Sequence, residues 1–255
     1  MTTGSLSGWI AATKPRTDRP VPTITRTVED STFELTDVLR RRAMLAEAAQ
    51  TSPSPSRAYA VAKRSVDVAL ASALLVVSLP IAAALAVGIK LHDGGPVLFR
   101  QERTGFHGRR FKMFKFRSMH PNAHLMREEL RHLSTVAWPD FKLDNDPRVT
   151  PVGRFMRATY LDEIPQLVNV LRGDMSLVGP RPTSYEASTY SIWHTERLDA
   201  KPGVTGHWQV KRSVEETSFD ERLRLDVHYI RNRSLIGDLR IMFGTIACSF
   251  KRSGR

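Results

Sequence analysis

An uncharged apolar run from Val68 to Ile89 constrains this chain more than any other feature of its sequence. As a straight helix, its 22 residues would measure about 33 Å, which is enough to span the hydrocarbon core of a bilayer. Pro80 lies near the middle of the run, where it removes a backbone hydrogen bond and favours a kink. Ser78 can help to satisfy the freed backbone groups. The run therefore predicts a kinked membrane helix.

Both flanks of the run are basic, and this bears on how the helix sits in a membrane. Basic flanks favour the cytoplasmic side, so a helix that enters, bends and returns suits both flanks, whereas a spanning helix suits one. These residues alone support a re-entrant hairpin and a kinked span about equally, and the length disfavours a buried helix of a soluble protein. The basic residues are Arg57, Lys63 and Arg64 before the run, and Lys90, Arg100, Arg103, Arg109, Arg110, Lys112, Lys115 and Arg117 after it.

Asp67 stands immediately before the apolar run, three and four residues after Arg64 and Lys63. We expect this carboxylate at the membrane edge, where pairing with one of these cations would lower the cost of a charge near lipid. The alternative is a carboxylate that is solvated at the level of the lipid headgroups.

The net charge of +12 indicates an anionic partner, for which nucleic acid, an anionic membrane surface and phosphorylated substrates are the candidates. Cys248 is the single cysteine, which excludes an intramolecular disulfide. The histidines show no ligand spacing, so we expect no zinc site. No recognised nucleic-acid-binding motif accompanies the basic residues, and we therefore expect no nucleic-acid partner.

The composition divides the chain into three parts. Residues 1–57 are rich in Ser, Thr, Pro and Arg and predict a disordered extension, with a brief amphipathic helix near residues 33–39. Residues 58–93 hold the membrane helix, whose apolar run begins too far from Met1 for a signal peptide. Residues 94–255 form the remaining domain.

The segment after the membrane helix predicts a β-hairpin. Pro96 to Arg103 reads as a strand, turn residues follow, and Arg109 to Met119 alternates aromatic with cationic side chains. Such a surface suits either an anionic membrane and a phosphate site or nucleic-acid bases. From Pro121 to about Trp138 we expect an ordinary charged, solvent-facing helix.

A short helix is predicted from Asp162 to Gly173. Asp162 occupies the N-cap position, Pro165 falls in the first turn, and Gly173 ends the helix. The adjacent Asp162 and Glu163 would then lie at the positive end of the helix dipole, where carboxylates stay ionised and a phosphate can bind. On this pattern alone, simple capping is the more common explanation. The apolar positions that define the helix face are Leu161, Ile164, Leu167, Val168 and Leu171.

Three arginines near this segment are candidate phosphate ligands. Arg154 and Arg157 share a face of a helix that Thr150 caps, and they could form structural ion pairs or clamp a diphosphate. Arg181 lies between two prolines, which present its side chain rigidly. Further along, residues 218–230 and 234–250 predict amphipathic helices that suit either a membrane interface or packing on the core.

Several motifs recur in one order along the chain. They are Lys63-Arg64 with Asp67, Phe99 to Gly105, Lys115 to Met119, Asp146 to Arg154, Leu161 to Leu167, Arg172 to Pro182, and Lys201 to Gly206. Together they closely resemble the bacterial sugar transferase family, the monotopic phosphoglycosyl transferases that load a phosphosugar onto polyprenyl phosphate. The resemblance covers about residue 58 to the C-terminus. Tyr160 and residues 207–212 depart from the usual family pattern, and the latter bear on sugar or nucleotide specificity.

The resemblance implies a two-step reaction at the acidic pair. Asp162 would attack the β-phosphorus of a nucleoside-diphosphate sugar, expel the nucleoside monophosphate and carry the phosphosugar until polyprenyl phosphate takes it. Glu163 would be its catalytic partner, and Mg²⁺ would be held by Glu163 and Asp162. The candidate phosphate contacts are Arg154, Arg157, Arg181, Lys115 and Arg117.

The resemblance also implies an α+β, mostly helical fold in a monotopic membrane protein with a re-entrant hairpin, a small β-hairpin and interfacial helices. The hairpin residues would be Lys63, Arg64, Asp67, Ser78 and Pro80. The catalytic domain would lie on the cytoplasmic face of the inner membrane and begin exopolysaccharide or glycoconjugate assembly. The alternatives are a glycosyl transferase that releases nucleoside diphosphate, and a basic membrane scaffold without activity.

Overall fold

The computed structural model describes residues 55–134, 143, 145–184, 192–211 and 219–253, all within one unit of residues 43–255. The predicted extension and its helix near residues 33–39 lie outside them. The helices are α1 (Arg57–Asp93), α2 (Met126–Glu129), α3 (Pro151–Thr159), α4 (Gln166–Arg172), α5 (His207–Lys211), α6 (Phe219–Arg231) and α7 (Leu235–Ser253). The strands are β1 (Leu98–Thr104), β2 (Arg110–Phe116), β3 (Ser176–Val178) and β4 (Gly203–Thr205). Short 3-10 segments cover Phe106–Gly108, Arg131–Leu133, Leu161–Glu163 and Ile192–Asp199. The predicted α+β, mostly helical class is confirmed.

Helix α1 is 37 residues long and remains helical through Pro80. Ser78 Oγ donates to the carbonyl of Leu75 at 3.0 Å, within the turn that the proline weakens. Val76 and Val77 are 66% and 75% exposed, as expected of side chains that contact lipid. Within the part of the chain that the structure describes, α1 is the one helix long and apolar enough to cross a membrane.

Two hydrophobic clusters pack opposite ends of α1 onto the same domain. Ala71, in the first half of α1, packs in a cluster with Val170 of α4 and Leu177 of β3. Leu85 and Ile89, in the second half, pack in another cluster that includes Phe116 and Met156. Most apolar residues between these anchors are exposed, while Leu75 and Ala82 are half-buried against the two clusters.

The predicted β-hairpin is confirmed. Strands β1 and β2 pair antiparallel, with Phe99 opposite Lys115 and Gln101 opposite Met113. Strands β3 and β4 form a second, parallel pair, which sequence analysis did not predict. Their close approach depends on Gly179, because a Cβ there would lie 2.2 Å from the carbonyl oxygen of Lys201.

The polar residues before the apolar run bind the protein itself. Arg64 donates to the carbonyls of Val170 and Leu171 at 2.6 and 2.8 Å, so it caps the C-terminal end of α4. Asp67 is 5% exposed and accepts hydrogen bonds from Leu177 N and Ser176 Oγ at 3.1 and 2.7 Å. The alternative of a carboxylate solvated at the level of the headgroups is therefore excluded, because β3 supplies buried donors. The predicted pairing holds for Lys63, whose Nζ lies 3.7 Å from Asp67 Oδ1.

Two predicted helices differ in the structure. Asp162 does not cap α4, which begins at Gln166 with Pro165 at the N-cap position. Because Pro165 has no N–H to offer the carbonyl of Leu161, Ile164 N makes that bond at 3.3 Å and produces the 3-10 turn. The charged helix expected from residue 121 is confined to the single turn of α2 and one 3-10 turn, and residues 135–138 lie outside the described part. The predicted stop at Gly173 is confirmed, since its φ is 86°.

The amphipathic helices predicted near the C-terminus are present as α6 and α7. Leu223 and Ile230 of α6 are 1% exposed and face the core. Helix α7 instead leaves an apolar row outside, with Leu239, Phe243 and Ile246 exposed by 43%, 69% and 54%. Packing on the core thus accounts for α6, while α7 keeps a face suited to a membrane interface.

Candidate active site

The acidic pair sits in a tight turn between α3 and α4. Tyr160 ends α3 with φ of 59°, a left-handed conformation that turns the chain sharply into the segment Leu161–Glu163. Asp162 is 8% exposed, and the Glu163 side chain is 15% exposed. Two adjacent carboxylates are therefore held largely away from water.

Lys115 of β2 supplies the counter-charge. Its Nζ lies 2.7 Å from Glu163 Oε1 and 3.7 Å from Asp162 Oδ2. The ammonium therefore neutralises Glu163 directly and Asp162 less closely. The resemblance proposed Lys115 as a phosphate contact, and the structure brings it to both acidic residues.

The two carboxyl groups differ in acidity. Burial raises the pKa of Asp162, and the neighbouring Glu163 adds to that effect, while Lys115 and Arg157 act against it. Burial would also raise the pKa of Glu163, but Lys115 and Arg181 outweigh it and hold that pKa below its usual value. Glu163 is thus an anion at neutral pH, and Asp162 is the more basic carboxylate of the two.

Arg157 reaches the site from α3. Its Nε donates to Ser118 Oγ at 2.8 Å, and its charge acts on Asp162. The helix can lie this close because Gly153 has no side chain: a Cβ there would lie 1.9 Å from the carbonyl oxygen of Ser118. The glycine thus lets α3 approach the end of β2.

Arg181 acts on the site from the turn that follows β3. Its positive charge contributes to the lowered pKa of Glu163. The turn is fixed by Gly203 N, which donates to the carbonyl of Pro180 at 2.9 Å, and by Gly179 N, which donates to the carbonyl of Thr205 at 3.0 Å. These two backbone hydrogen bonds support the expectation that the turn between the two prolines holds Arg181 rigidly.

The remaining two candidate arginines lie elsewhere. Arg117 is 7% exposed, and its guanidinium donates to Asp93 Oδ2 at 2.8 Å and to the carbonyl of Pro96 at 2.6 Å. Arg154 is exposed on α3. Among the described residues, no hydrogen bond or ion pair joins either side chain to Asp162 or Glu163.

The donor set is compatible with Mg²⁺. Within the described ranges no group of three or more His, Cys, Asp or Glu residues could hold a metal by itself. Mg²⁺ commonly binds one or two carboxylates and completes its shell with water and substrate phosphates. Asp162 and Glu163 meet that requirement, and the lowered pKa of Glu163 keeps one of them charged.

Two buried amides support the site and were missed by sequence analysis. Asn169 is fully buried; its Oδ1 accepts from Phe114 N at 3.0 Å and its Nδ2 donates to the carbonyl of Lys112 at 2.8 Å. Gln166 is 2% exposed and hydrogen-bonds Glu163. The available signal for Asn169 in the sequence was a polar amide among the apolar residues of a short helix. In the structure, its two hydrogen bonds fix β2, the strand that carries Lys115.

The sequence of this chain is similar to a family of known proteins. Residues 58–252 match the bacterial sugar transferase family model. The chain is 43% identical over 197 residues to the undecaprenyl-phosphate galactose phosphotransferase of Salmonella typhimurium, which covers 75% of this chain and 41% of that protein. It is 40% identical over 191 residues to the exopolysaccharide production protein ExoY of Rhizobium meliloti, covering 73% and 84%. It is 39% identical over 205 residues to the UDP-glucose:undecaprenyl-phosphate glucose-1-phosphate transferase of Caulobacter vibrioides, covering 76% and 72%.

The extent of these matches differs. The chain spans less than half the length of the Salmonella protein but more than two thirds of the other two. The motifs quoted from the sequence fall inside the matched range. The chain belongs to the bacterial sugar transferase family.

Proposed function

We propose that this chain transfers a sugar 1-phosphate from a UDP-sugar to polyprenyl phosphate and releases UMP. The observation that carries the proposal is the buried Asp162–Glu163 pair with Lys115 Nζ 2.7 Å from one carboxylate and 3.7 Å from the other. The names of the Salmonella and Caulobacter relatives, which describe undecaprenyl-phosphate sugar phosphotransferases, give the substrate classes. The product would be the first lipid-linked intermediate of a polysaccharide.

Asp162 is the proposed nucleophile. A carboxylate oxygen of Asp162 forms a bond to the β-phosphorus of the donor, and the bond from that phosphorus to the bridging oxygen breaks, so that UMP leaves with the electron pair. Burial raises the pKa of Asp162, which makes its ionised form the more basic of the two carboxylates. In the second step an oxygen of polyprenyl phosphate attacks the same phosphorus and releases Asp162.

Glu163 and the nearby cations prepare the site for the diphosphate. Glu163 keeps Lys115 in place through the 2.7 Å ion pair. Lys115, Arg157 and Arg181 are the proposed phosphate contacts, since all three act electrostatically on the acidic pair. Arg154 stays a predicted contact from the exposed side of α3. Arg117 we assign instead to anchoring the end of α1, because Asp93 and Pro96 occupy its guanidinium.

Mg²⁺ bound by the carboxylates of Glu163 and Asp162 would neutralise charge on the donor diphosphate. The chain's own residues then orient the β-phosphorus towards Asp162 and limit access of water, which would otherwise hydrolyse the phosphosugar.

The membrane arrangement is also a proposal: α1 enters the cytoplasmic leaflet of the inner membrane, bends at Pro80 and returns. Support comes from anchors of both ends on one domain, with Arg64 bound to α4 and Asp93 bound to Arg117. The exposed apolar middle of α1 and the exposed row on α7 suit lipid contact. A monotopic hairpin would place the acidic pair at the surface where the lipid phosphate lies.

Nucleotide release tests the reaction. The purified chain in detergent, with Mg²⁺, polyprenyl phosphate and either UDP-glucose or UDP-galactose, should release UMP, whereas Asp162→Asn should release none. Glu102→Gln removes a carboxylate whose side chain is 64% exposed and serves as the matched control, with activity unchanged. Without the lipid acceptor, the wild-type chain should gain the mass of a hexose phosphate, and Asp162→Asn should not. Release of UDP would instead identify a glycosyl transferase.

Cysteine labelling tests the hairpin. In a Cys248→Ser background, single cysteines at Val61 and Leu91 mark the two flanks, since these side chains are 67% and 82% exposed. An impermeant maleimide added to intact cells should label neither position, while lysed cells should be labelled at both. Labelling of one flank alone in intact cells would indicate a spanning helix.

A further inference from the structure

A buried ion pair lies behind the turn that carries Arg181. Arg197, in the 3-10 segment Ile192–Asp199, donates from Nη2 to Asp226 Oδ2 on α6 at 2.7 Å. The same nitrogen donates to the carbonyl of Arg181 at 2.6 Å. Arg197 and Asp226 are 5% and 2% exposed. Burying two opposite charges costs much of what their attraction returns, so stability alone is a weak reason for such a pair.

The hydrogen bond to Arg181 completes a set of backbone restraints. Before Arg181, the carbonyl of Pro180 accepts from Gly203 N at 2.9 Å, and after it the carbonyl of Thr183 accepts from Thr104 N at 2.9 Å. Arg197 holds the carbonyl between these two points. The direction in which the Arg181 side chain leaves the turn is therefore set in part by a residue of another element.

Arg181 also lies within electrostatic reach of two carboxylates. Its charge lowers the pKa of Glu163 in the acidic pair and that of Asp226 behind the turn. Burial nevertheless raises the pKa of Asp226 to about 6, with Arg197 acting against the rise, so this carboxylate is charged at neutral pH. Arg197 keeps Asp226 ionised, and the ionised Asp226 in turn holds Arg197 at the carbonyl of Arg181.

We propose that Arg197 and Asp226 are positioning residues for Arg181 in the transfer reaction. Asp226 holds Arg197, and Arg197 fixes the carbonyl of Arg181, so that the Arg181 guanidinium is directed to the donor diphosphate beside Glu163. The inference rests on the proposed function, and neither Arg197 nor Asp226 touches the substrate. Through Asp226, the residues that support the site then include one on α6, although α6 contributes no side chain to the acidic pair.

Variants of Arg197 and Asp226 test this positioning role. Arg197→Met keeps an unbranched side chain without charge, and we expect a higher KM for the UDP-sugar and a loss of about 100-fold in kcat/KM. Arg197→Lys keeps the charge but lacks the planar fork, so its loss should be intermediate. Asp226→Asn removes the carboxylate that holds Arg197 and should raise KM in the same direction, whereas adding it to Arg197→Met should cause little further loss, as expected of coupled residues.

A neighbouring ion pair between the same two elements provides the matched control. Arg231 of α6 donates from Nε to Glu196 Oε1 at 2.6 Å, and the Arg231 side chain is 60% exposed. Arg231→Met breaks this pair without touching the turn at Arg181. It should leave KM and kcat at their wild-type values.

The experiment measures UMP release, equilibrium binding of UDP-glucose and UDP-galactose, and thermal unfolding of each variant in detergent. If Arg197→Met does not fold, Arg197→Lys alone decides between a raised KM and a wild-type KM. Folded Arg197 variants with wild-type KM and donor affinity would overturn the positioning role, as would an equal loss in Arg231→Met or fully additive losses in the double variant. A wild-type chain that neither releases UMP nor binds either donor would overturn the proposed function, and this inference with it.

Discussion

Two lysines in this protein each sit between two carboxylates at nearly the same distances. Lys115 lies 2.7 Å from Glu163 and 3.7 Å from Asp162, and Lys63 lies 2.9 Å from Asp238 and 3.7 Å from Asp67. The two centres differ in what else the carboxylates bind. This difference separates a centre suited to chemistry from one suited to holding a helix.

At the Lys63 centre, the protein satisfies the carboxylates with further donors. Asp67 accepts from Leu177 N and Ser176 Oγ, and Asp238 accepts from Tyr229 OH at 2.8 Å. At the Lys115 centre, burial raises the pKa of Asp162 in spite of the lysine. A carboxylate that accepts several hydrogen bonds is stable and unreactive, whereas one that accepts fewer retains the basicity that a nucleophile needs.

Removal of each lysine should produce the largest and most contrasting effects. We expect Lys63→Met to lower the free energy of unfolding by about 3 kcal/mol, because it leaves two buried carboxylates without their shared cation. Lys115→Met should cost less unfolding free energy, because the Asp162 and Glu163 side chains are less buried, and it should lower kcat/KM by about 100-fold, because it removes a phosphate contact and the partner of Glu163. Denaturant unfolding and UMP release, measured on both variants, check the contrast. Equal losses of unfolding free energy in the two variants, together with equal kcat/KM values, would contradict this contrast.

Another buried carboxylate, that of Asp226, sharpens the comparison through pH. Burial raises the pKa of Asp226 from 3.8 to about 6, although Arg197 opposes the rise. A carboxyl whose pKa is higher in the folded than in the unfolded state stabilises the fold at low pH, and that stabilisation is lost as pH rises through about 6. The wild type should therefore lose up to about 3 kcal/mol relative to Asp226→Asn between roughly pH 4 and pH 7. Parallel stability curves over this range would contradict the expectation.

The smallest effects should come from the two tyrosines at the Lys63 centre. Tyr229 OH lies 2.8 Å from Asp238 Oδ1 and 3.1 Å from the carbonyl of Val178, whereas Tyr59 OH lies 3.4 Å from Asp238 Oδ2. Tyr229→Phe should cost about 1.5 kcal/mol of unfolding free energy, and Tyr59→Phe about 0.5 kcal/mol. Neither change should alter KM. A larger loss for Tyr59→Phe in thermal or denaturant unfolding would reverse the order of these contacts.

The sequence predicted what depends on near neighbours. The β-hairpin followed from alternating residues around a turn, and the end of α4 followed from Gly173. The start of α4 did not follow, because the missing N–H of Pro165 favours a 3-10 turn over the capping role assigned to Asp162.

Contacts between residues that are far apart in the sequence could not be predicted from the sequence. Asp67 binds a backbone N–H that is 110 residues away, and Arg197 binds Asp226 at a separation of 29 residues. Strands β3 and β4 have only three residues each, too few to show a period. The acidic pair was singled out from its sequence pattern, whereas Lys115 was predicted only as a phosphate contact, and its pairing with Glu163 was not predicted.

The capping of α4 by Arg64 has a consequence for how this protein meets a bilayer. Helix α4 has seven residues, about 10 Å of rise, with the acidic pair just before its first turn and Arg64 of α1 bonded to its last carbonyls. With α1 in the membrane, as proposed, the position of Asp162 depends on the depth at which α1 lies. Any change in that depth would move the acidic pair as well, because Arg64 bonds α1 to the helix that follows the pair.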